Sequence, residues 1–400
     1  MDYSRIKGIE ALGDLAGKRV FVRADFNVPL QGTRITSDSR ITAALPTIQL
    51  LLQKGARVIL ASHLGRPEGK GFEAEYSLAP VARRLSELLG FEVTLQSDCV
   101  GEQVRKGVLD VANGRATLLE NLRFHKAENK GAEAFGRELA SLAEVYVNDA
   151  FGTCHRADAS MTWPARLLPC AAGLLVAQEV KALATVLTNP KRPCLAVLGG
   201  AKISDKIPLV NNLLSRVNEI CIGGGMAYTF LKAQGHKIGK SLCDNEKLDE
   251  CKAMLLKARQ NDVTIHLPKD HVIAHGMDDE TAHIDRGDIP DDFTTFDIGG
   301  KTALAFSNVI LAAKTILFNG PMGVFEKERF SNGTRIVVNA IAEATQNGAF
   351  SVVGGGDSAA AAEHFHADKK MSHVSTGGGA SLTLLQGEAM PALEALVGGI

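Results

Sequence analysis

Apolar positions along this chain follow two alternating patterns. In the first half, short runs rich in Val, Ile and Leu predict strands at residues 19–22, 57–61, 116–119 and 145–148. Between them, residues 41–53, 78–89 and 133–142 space their apolar side chains three and four apart, as one face of a helix does. The second half repeats the arrangement, with strands predicted at 194–198, 219–222, 263–266, 315–318 and 350–353. Such alternation predicts parallel sheets joined by crossover helices. Residues 176–186 read as a helix ended by Thr188-Asn189-Pro190; this helix is the candidate connector between domains. Residues 278–297 are acid-rich and show little periodicity. They predict a solvated loop rather than a calcium site, because the EF-hand spacing is absent.

Length and composition narrow the class. Four hundred residues exceed what one core usually serves, so two domains are expected. A net charge of -1 argues against a nucleic-acid binder held by bulk electrostatics. The longest apolar stretch, residues 167–177, is too short to span a bilayer and contains Pro169. The opening Met1-Asp2-Tyr3-Ser4-Arg5 leads into no signal-peptide core. Seven scattered cysteines without a Cys-x-x-Cys pair point to reduced thiols and a cytoplasmic location. Residues 1–170 hold 15 Arg and 7 Lys, whereas residues 171–400 hold 6 Arg and 16 Lys. Arginine forks grip carboxylate and phosphate oxygens in pairs, while lysine acts as a point charge. The split suggests a small oxyanion on the first half and a nucleotide on the second.

Candidate chemistry gathers after the strands. Three-glycine turns stand at Gly223-Gly224-Gly225, Gly354-Gly355-Gly356 and Gly377-Gly378-Gly379, with a lysine-bearing fourth at Gly199-Gly200-Ala201-Lys202. Each follows a short apolar stretch, the weakest being His373-Val374-Ser375. Glycine allows close backbone approach, and a helix start offers unpaired N–H groups to phosphate. Asp25, Asn27 and Arg40 follow the first predicted strand, His63 and Arg66 the second, Arg123 the third, and Asp149, His155 and Arg156 the fourth. Strand ends of a parallel sheet share one edge, so these residues should converge there. Asp297-Ile298-Gly299-Gly300-Lys301-Thr302 imitates the end of a Walker A loop, but Thr295 stands where its first glycine belongs. No dinucleotide fingerprint follows the first strand, which demotes a nicotinamide-linked oxidoreductase.

Eight stretches together resemble the phosphoglycerate kinase family. In the first half they are Val22-Arg23-Ala24-Asp25-Phe26-Asn27-Val28-Pro29, Ser62-His63-Leu64-Gly65-Arg66-Pro67, Glu120-Asn121-Leu122-Arg123-Phe124 and Asn148-Asp149-Ala150-Phe151-Gly152-Thr153. The second half supplies Leu198 through Lys206, Asn319 through Glu326, Gly354 through Ser358, and Ser375 through Ser381. The resemblance implies two doubly wound, Rossmann-like α/β domains facing a cleft, joined by a hinge helix. It places a 3-phosphoglycerate domain at residues 1–170, the interdomain helix at 171–188 and a nucleotide domain at 189–385. Residues 386–400 would return to the first domain, with 391–400 as an interdomain strap. The implied reaction is reversible phosphoryl transfer between 1,3-bisphosphoglycerate and ADP, giving 3-phosphoglycerate and ATP.

Carried over residue by residue, the acid site would use Asp25, Asn27, Arg40, His63, Arg66, Arg123 and Arg156. The nucleotide side would use Lys206, Gly224, Gly299, Asn319, Pro321, Glu326 and Gly354, with Glu326 near the ribose and Asp357 on Mg²⁺. Arg40, Lys202, Gly355, Gly356, Gly377 and Gly378 would surround the transferring phosphoryl group. The family also implies a monomer, with neither nucleic acid nor membrane as partner. Two positions depart from its pattern: Cys154, implying an oxidant-sensitive thiol beside the acid site, and Gly300, implying a looser loop near adenine.

The chemistry agrees with the residues. A carboxylate nucleophile is already ionised at pH 7, so no general base is needed, and none is evident. Phosphoryl transfer then requires positioning and charge stabilisation. Lys202 and Lys206 would share a face only if their turn runs into helix. Asp357 can cap the following helix and also hold a metal. Asp25 would repel a phosphate, so it is expected to accept from the substrate hydroxyl or orient an arginine. Closure of the two domains is expected to join the two clusters. The rival reading is a two-domain, non-catalytic binder of a sugar phosphate.

Overall fold

A computed structural model describes residues 3–279, 281–285 and 287–399. The chain divides into two compact units, one of residues up to Lys181 together with those from Ala389 onward, the other Ala182–Glu388. The division falls within the helix Leu174–Leu187.

The first unit is built on six parallel strands in the order Thr94–Leu95, Ala116–Leu118, Arg57–Ala61, Arg19–Ala24, Val145–Asp149, Cys170–Ala172. Both neighbours of Arg19–Ala24 come later in the chain, one on each side, so the strand order reverses there. Val20, Val22, Leu60 and Val147 are buried beneath Ile48 and Leu51 of the helix Ser39–Gln53. Sheets covered on both faces by crossover helices read as continuous apolar runs, which is why these strands were legible. The C-terminal helix Pro391–Gly398 packs on the helix Ala159–Leu167 of this unit. Its Ala392 N–H donates to the Cys154 carbonyl (3.3 Å), bracing the turn before His155 and Arg156. Ile400 lies outside the described residues.

The second unit repeats the plan with Thr264–His266, Glu219–Ile222, Cys194–Leu198, Thr315–Asn319, Phe350–Val353, His373–Val374, again all parallel. Its reversal point is Cys194–Leu198. Val197, Phe318, Phe306 and Ile341 are buried in one of its cores.

One expectation fails here. Residues 278–297 are not wholly loop, because His283–Asp285 and Thr294–Ile298 flank His271–Ala274 in a three-stranded antiparallel sheet. His283 and Ile284 stay exposed, so the apolar alternation that marks a half-buried strand is missing there. Pairing with His271–Ala274 supplies what local pattern did not. Glu280 and Arg286, in the same stretch, lie outside the described residues.

Asp297 ends this sheet buried, accepting from the N–H groups of Gly333 (2.6 Å) and Ile298 (2.9 Å). Burial raises its carboxyl to about 7. The native state therefore keeps a proton that an unfolded aspartate loses near pH 4. The stability this gives is complete below about pH 4 and is lost as pH rises through about 7. Urea unfolding should show the wild type gaining on Asp297→Asn between pH 8 and pH 5. An unchanged difference would mean that Asp297 does not titrate in that window.

Candidate functional site

In the first unit, the polar residues after the strands converge at the reversal point. Asn121 joins two loops, its Oδ1 accepting from Leu64 N (3.2 Å) and Arg123 N (3.1 Å) and its Nδ2 donating to the Leu64 carbonyl (2.7 Å). Asn27 Oδ1 accepts from Gly65 N (2.8 Å), fixing the loop that carries His63 and Arg66. Asp25 accepts from Arg40 Nη1 (2.8 Å), holding that guanidinium while leaving it partly exposed.

Arg123 is 5% exposed. Its Nη1 donates to the Gly65 carbonyl (2.9 Å), yet its Nε and Nη2 have no hydrogen-bond partner; the Asp158 carboxylate is 4.0 Å from Nη2. A buried donor without an acceptor is costly, and an anion would satisfy it. It lines a cavity of about 560 Å³ with Arg66, His155, Arg156 and Asp158.

His63 is buried beside this cluster. Burial first, then the charges of Arg23, Arg123, Arg156 and Arg40, hold its pKa well below the usual imidazole value. The imidazole is thus neutral at pH 7. Arg23 Nη2 lies 3.2 Å from His63 Nδ1, and because arginine can only donate, Nδ1 accepts and Nε2 carries the proton. His63 therefore offers a neutral N–H donor.

Arg23 is the residue that sequence reading passed over as a site. It is fully buried within a strand, donating to Ser160 Oγ (2.9 Å) and the Ala24 carbonyl (2.5 Å). Asp149 goes the other way: its Oδ1 accepts from Leu175 N (2.9 Å) and Val176 N (3.4 Å) at the start of the helix Leu174–Leu187. It is a structural cap. Cys154 also corrects an expectation, because its thiol is fully buried and burial pushes its pKa far up. An enclosed thiol held protonated offers an oxidant little thiolate to attack.

The second unit gathers its glycines at its own reversal point. A side chain on Gly199 would meet the Pro321 carbonyl at 2.0 Å, and one on Gly224 (φ +65°) would meet Gly200 N at 2.6 Å. Only glycines let these turns cross so closely. A cavity of about 470 Å³ opens beside them. Gly224, Pro321, Glu326 and Asp357 line it, together with an apolar wall of Tyr228, Leu242, Phe296, Met322, Val324 and Phe325. That wall suits a flat base; Met322, Val324 and Phe325 belong to the Asn319–Glu326 stretch, whereas Tyr228, Leu242 and Phe296 come from a helix, a loop and the antiparallel sheet, where no motif marks them.

Lys206 lies next to this cavity, half-buried, its Nζ donating to the Asn319 carbonyl (3.0 Å) and side-chain oxygen. Burial lowers its pKa to about 8, with Asp357 and Asp205 opposing. Asn319 Nδ2 donates to the Gly354 carbonyl (2.6 Å), so one buried amide links Lys206 to the next glycine turn. The helices Gly356–His364 and Gly379–Gln386 begin after Gly355 and Gly378, neither of which carries a capping side chain. Helix starts of this kind offer N–H groups to anions, although Ala380 N–H already donates to the Gly377 carbonyl (3.0 Å). Gly377 immediately precedes the second of these starts.

Other placements differ. The helix after Lys206 begins only at Ile207, so Lys202 and Lys206 do not lie on one helical face; Lys202 is exposed in the turn. Gly299 caps the helix Gly300–Ala312 and packs on Asp270, outside the cavity lining. Gly300 is the first residue of that helix, not part of a loosened loop.

Asp357, exposed in the first turn of its helix, is a carboxylate open to the cavity. Among the described residues, the cluster of three potential metal ligands is elsewhere. One carboxylate with room for phosphates suits Mg²⁺, which seldom uses an all-protein cage.

Known proteins resemble the chain along nearly its whole length. The family model described as phosphoglycerate kinase matches residues 9–388. A phosphoglycerate kinase of Anaeromyxobacter sp. (strain Fw109-5) is 50% identical over 98% of this chain and 100% of the relative. That of Borrelia turicatae (strain 91E135) is 49% identical over 96% and 97%. Among solved structures, phosphoglycerate kinase from Coxiella burnetii superposes with a TM-score of 0.92 at 44% identity, covering 98% of both chains. The enzyme from Pyrococcus horikoshii OT3 gives 0.80 at 32% identity, also covering 98% of both. With the cationic cavity, the glycine cradle and matches of this extent, the chain belongs to the phosphoglycerate kinase family.

Proposed function

We propose that the first unit's cationic cavity holds 3-phosphoglycerate or 1,3-bisphosphoglycerate and that the second unit's glycine-lined cavity holds ADP or ATP. The chain catalyses reversible phosphoryl transfer between them, yielding 3-phosphoglycerate and ATP in one direction. The observation that carries the acid assignment is buried Arg123, which leaves two nitrogens without a partner and lines a cavity with Arg66 and Arg156. His63 donates Nε2–H to the same substrate, and Asp25 orients Arg40.

On the nucleotide side, Pro321 and the apolar wall take the base, Glu326 the ribose, and Lys206 with Asn319 and Gly354 the phosphates; Gly299 supports the loop beyond. Asp357 would hold Mg²⁺, which neutralises phosphate charge when bound. Arg40, Lys202 and the backbone at Gly355, Gly356, Gly377 and Gly378 surround the transferring phosphoryl group. Direct in-line transfer requires acceptor carboxylate and terminal phosphate to meet, so productive turnover needs closure. Among the described residues no helix is long and apolar enough to cross a membrane. The reading is of a cytoplasmic monomer without nucleic-acid or membrane partners.

The test is a coupled assay with 3-phosphoglycerate and Mg-ATP, the acyl phosphate being reduced by glyceraldehyde-phosphate dehydrogenase and NADH. NADH oxidation that needs every component supports the reading; none, with ATP still bound, favours a non-catalytic binder. In this assay Lys202→Ala should lower kcat chiefly, and Lys206→Ala should raise the nucleotide KM chiefly. Interchanged effects would reverse the two roles.

A further inference from the structure

A cluster of unlike donors lies outside both cavities, in the first unit. Asp98 Oδ1 is 2.5 Å from His125 Nε2, and Cys99 Sγ adjoins them, all three ligand atoms lying within 4.8 Å of one another. Asp98 and His125 open onto a cavity of about 460 Å³ together with Ser97, Phe72, Phe124 and Lys126. Cys99 is enclosed behind them, its thiol donating to the Glu120 carbonyl (3.0 Å).

The charges around the cluster are mainly negative. Cys99 faces Asp98, Glu128 and Glu120, and His125 faces Asp98, Glu138 and Glu128. Of the nearby lysines, Lys70 pairs with Glu68 (2.7 Å), and Lys126 is exposed at the cavity wall. A simple His–Asp ion pair explains two members but not the thiol within 4.8 Å of them.

We propose that Asp98, Cys99 and His125 form a Zn²⁺ site with an open fourth position on the cavity. Thiolate, imidazole and carboxylate are zinc's three donor types, and three protein ligands plus water make an open site. Tetrahedral bonds of about 2.0–2.3 Å set donor atoms roughly 3.4 Å apart. Asp98 and His125 must therefore part by about an ångström, and Cys99 Sγ must turn towards them. Binding sends the thiol proton to solvent, and the imidazolium gives its Nε2 proton to solvent as well, ligating as a neutral ring that keeps the proton on Nδ1. The thiolate and carboxylate then balance the ion's two charges. Because His125 directly follows the turn that carries Arg123, the metal would brace that turn.

The test titrates the full-length, chelator-stripped protein with Co²⁺ under anaerobic conditions. One equivalent should produce visible bands and a near-ultraviolet thiolate-to-cobalt charge-transfer band, both bleached by equimolar Zn²⁺. Cys99→Ser should abolish the charge-transfer band, whereas Cys243→Ser, in the second unit, should leave it intact. Asp98→Asn and His125→Gln should weaken Co²⁺ binding by about tenfold or more; circular dichroism checks that each variant is folded. Should Cys99→Ser fail to fold, His125→Gln and Asp98→Asn decide. Co²⁺ bound without a thiolate band, a band that survives in folded Cys99→Ser, or unchanged affinity in the other two variants would overturn the proposal.

Discussion

Arg40→Ala is expected to lower kcat by about 10³-fold or more while leaving ADP affinity nearly unchanged, the range seen when a cation that stabilises a transferring phosphoryl group is removed. The geometry separates its role from that of Arg123. Arg123 is buried and held by a backbone carbonyl, whereas Arg40 is tied to Asp25 and keeps part of its guanidinium exposed. A cation held in this way can engage charge that develops during transfer without being consumed by ground-state packing. Steady-state kinetics with separate nucleotide binding by calorimetry makes the check. A large loss of ADP affinity with kcat intact would remove Arg40 from the transfer step. Arg40→Lys should recover only part of the rate, since a point charge cannot reproduce a two-pronged contact.

The second large effect concerns stability. Arg23→Met should cost about 3–5 kcal/mol, the usual consequence of removing one partner from a buried charge network. Arg23 and Glu128 are both fully buried and meet through Ser160, whose Oγ donates to Glu128 (2.6 Å) and accepts from Arg23 (2.9 Å). Burial raises the Glu128 carboxyl, and Arg23 is the chief influence lowering it again. Without Arg23 the carboxylate is left uncompensated. Urea unfolding of Arg23→Met, Glu128→Gln and the double variant should reveal losses that do not add, because the second change removes the charge the first has stranded. Strict additivity would show that the two charges act independently. The same substitution should raise the His63 pKa, readable by NMR, since Arg23 is the first of the charges depressing it.

Much of the site was legible because a parallel sheet turns sequence order into geometry. Asp25, His63, Arg123 and Arg156 are far apart in the chain, yet each follows a strand of the same sheet. A shared strand direction delivers all four loops to one edge. The rule does not reveal which polar residue faces the ligand. Asp149 follows its strand as the others do, but the helix starting at Leu174 claims its carboxylate. Lys202 and Lys206 have helical spacing, but the helix begins only at Ile207, after a turn whose Gly199 and Gly200 lie against Pro321 and Gly224.

By itself the sequence determined the elements whose physics is local. Long apolar runs became central strands, three-and-four spacing became their covering helices, and glycine clusters became turns where backbones cross. It also set which residue types could meet phosphate. Tertiary structure alone decided matters that depend on partners distant in the chain. The edge strands Thr94–Leu95 and Cys170–Ala172 are too short to carry a pattern, and exist because a neighbouring strand offers unpaired N–H and C=O groups. The antiparallel sheet forms around His271–Ala274 for the same reason. Arg23 looks like a polar slip within an apolar strand; only Ser160, 137 residues away, and Glu128 beyond it make its burial affordable. Local propensity is read from neighbours in sequence, whereas the cost of burying a charge is settled by whatever the fold brings beside it.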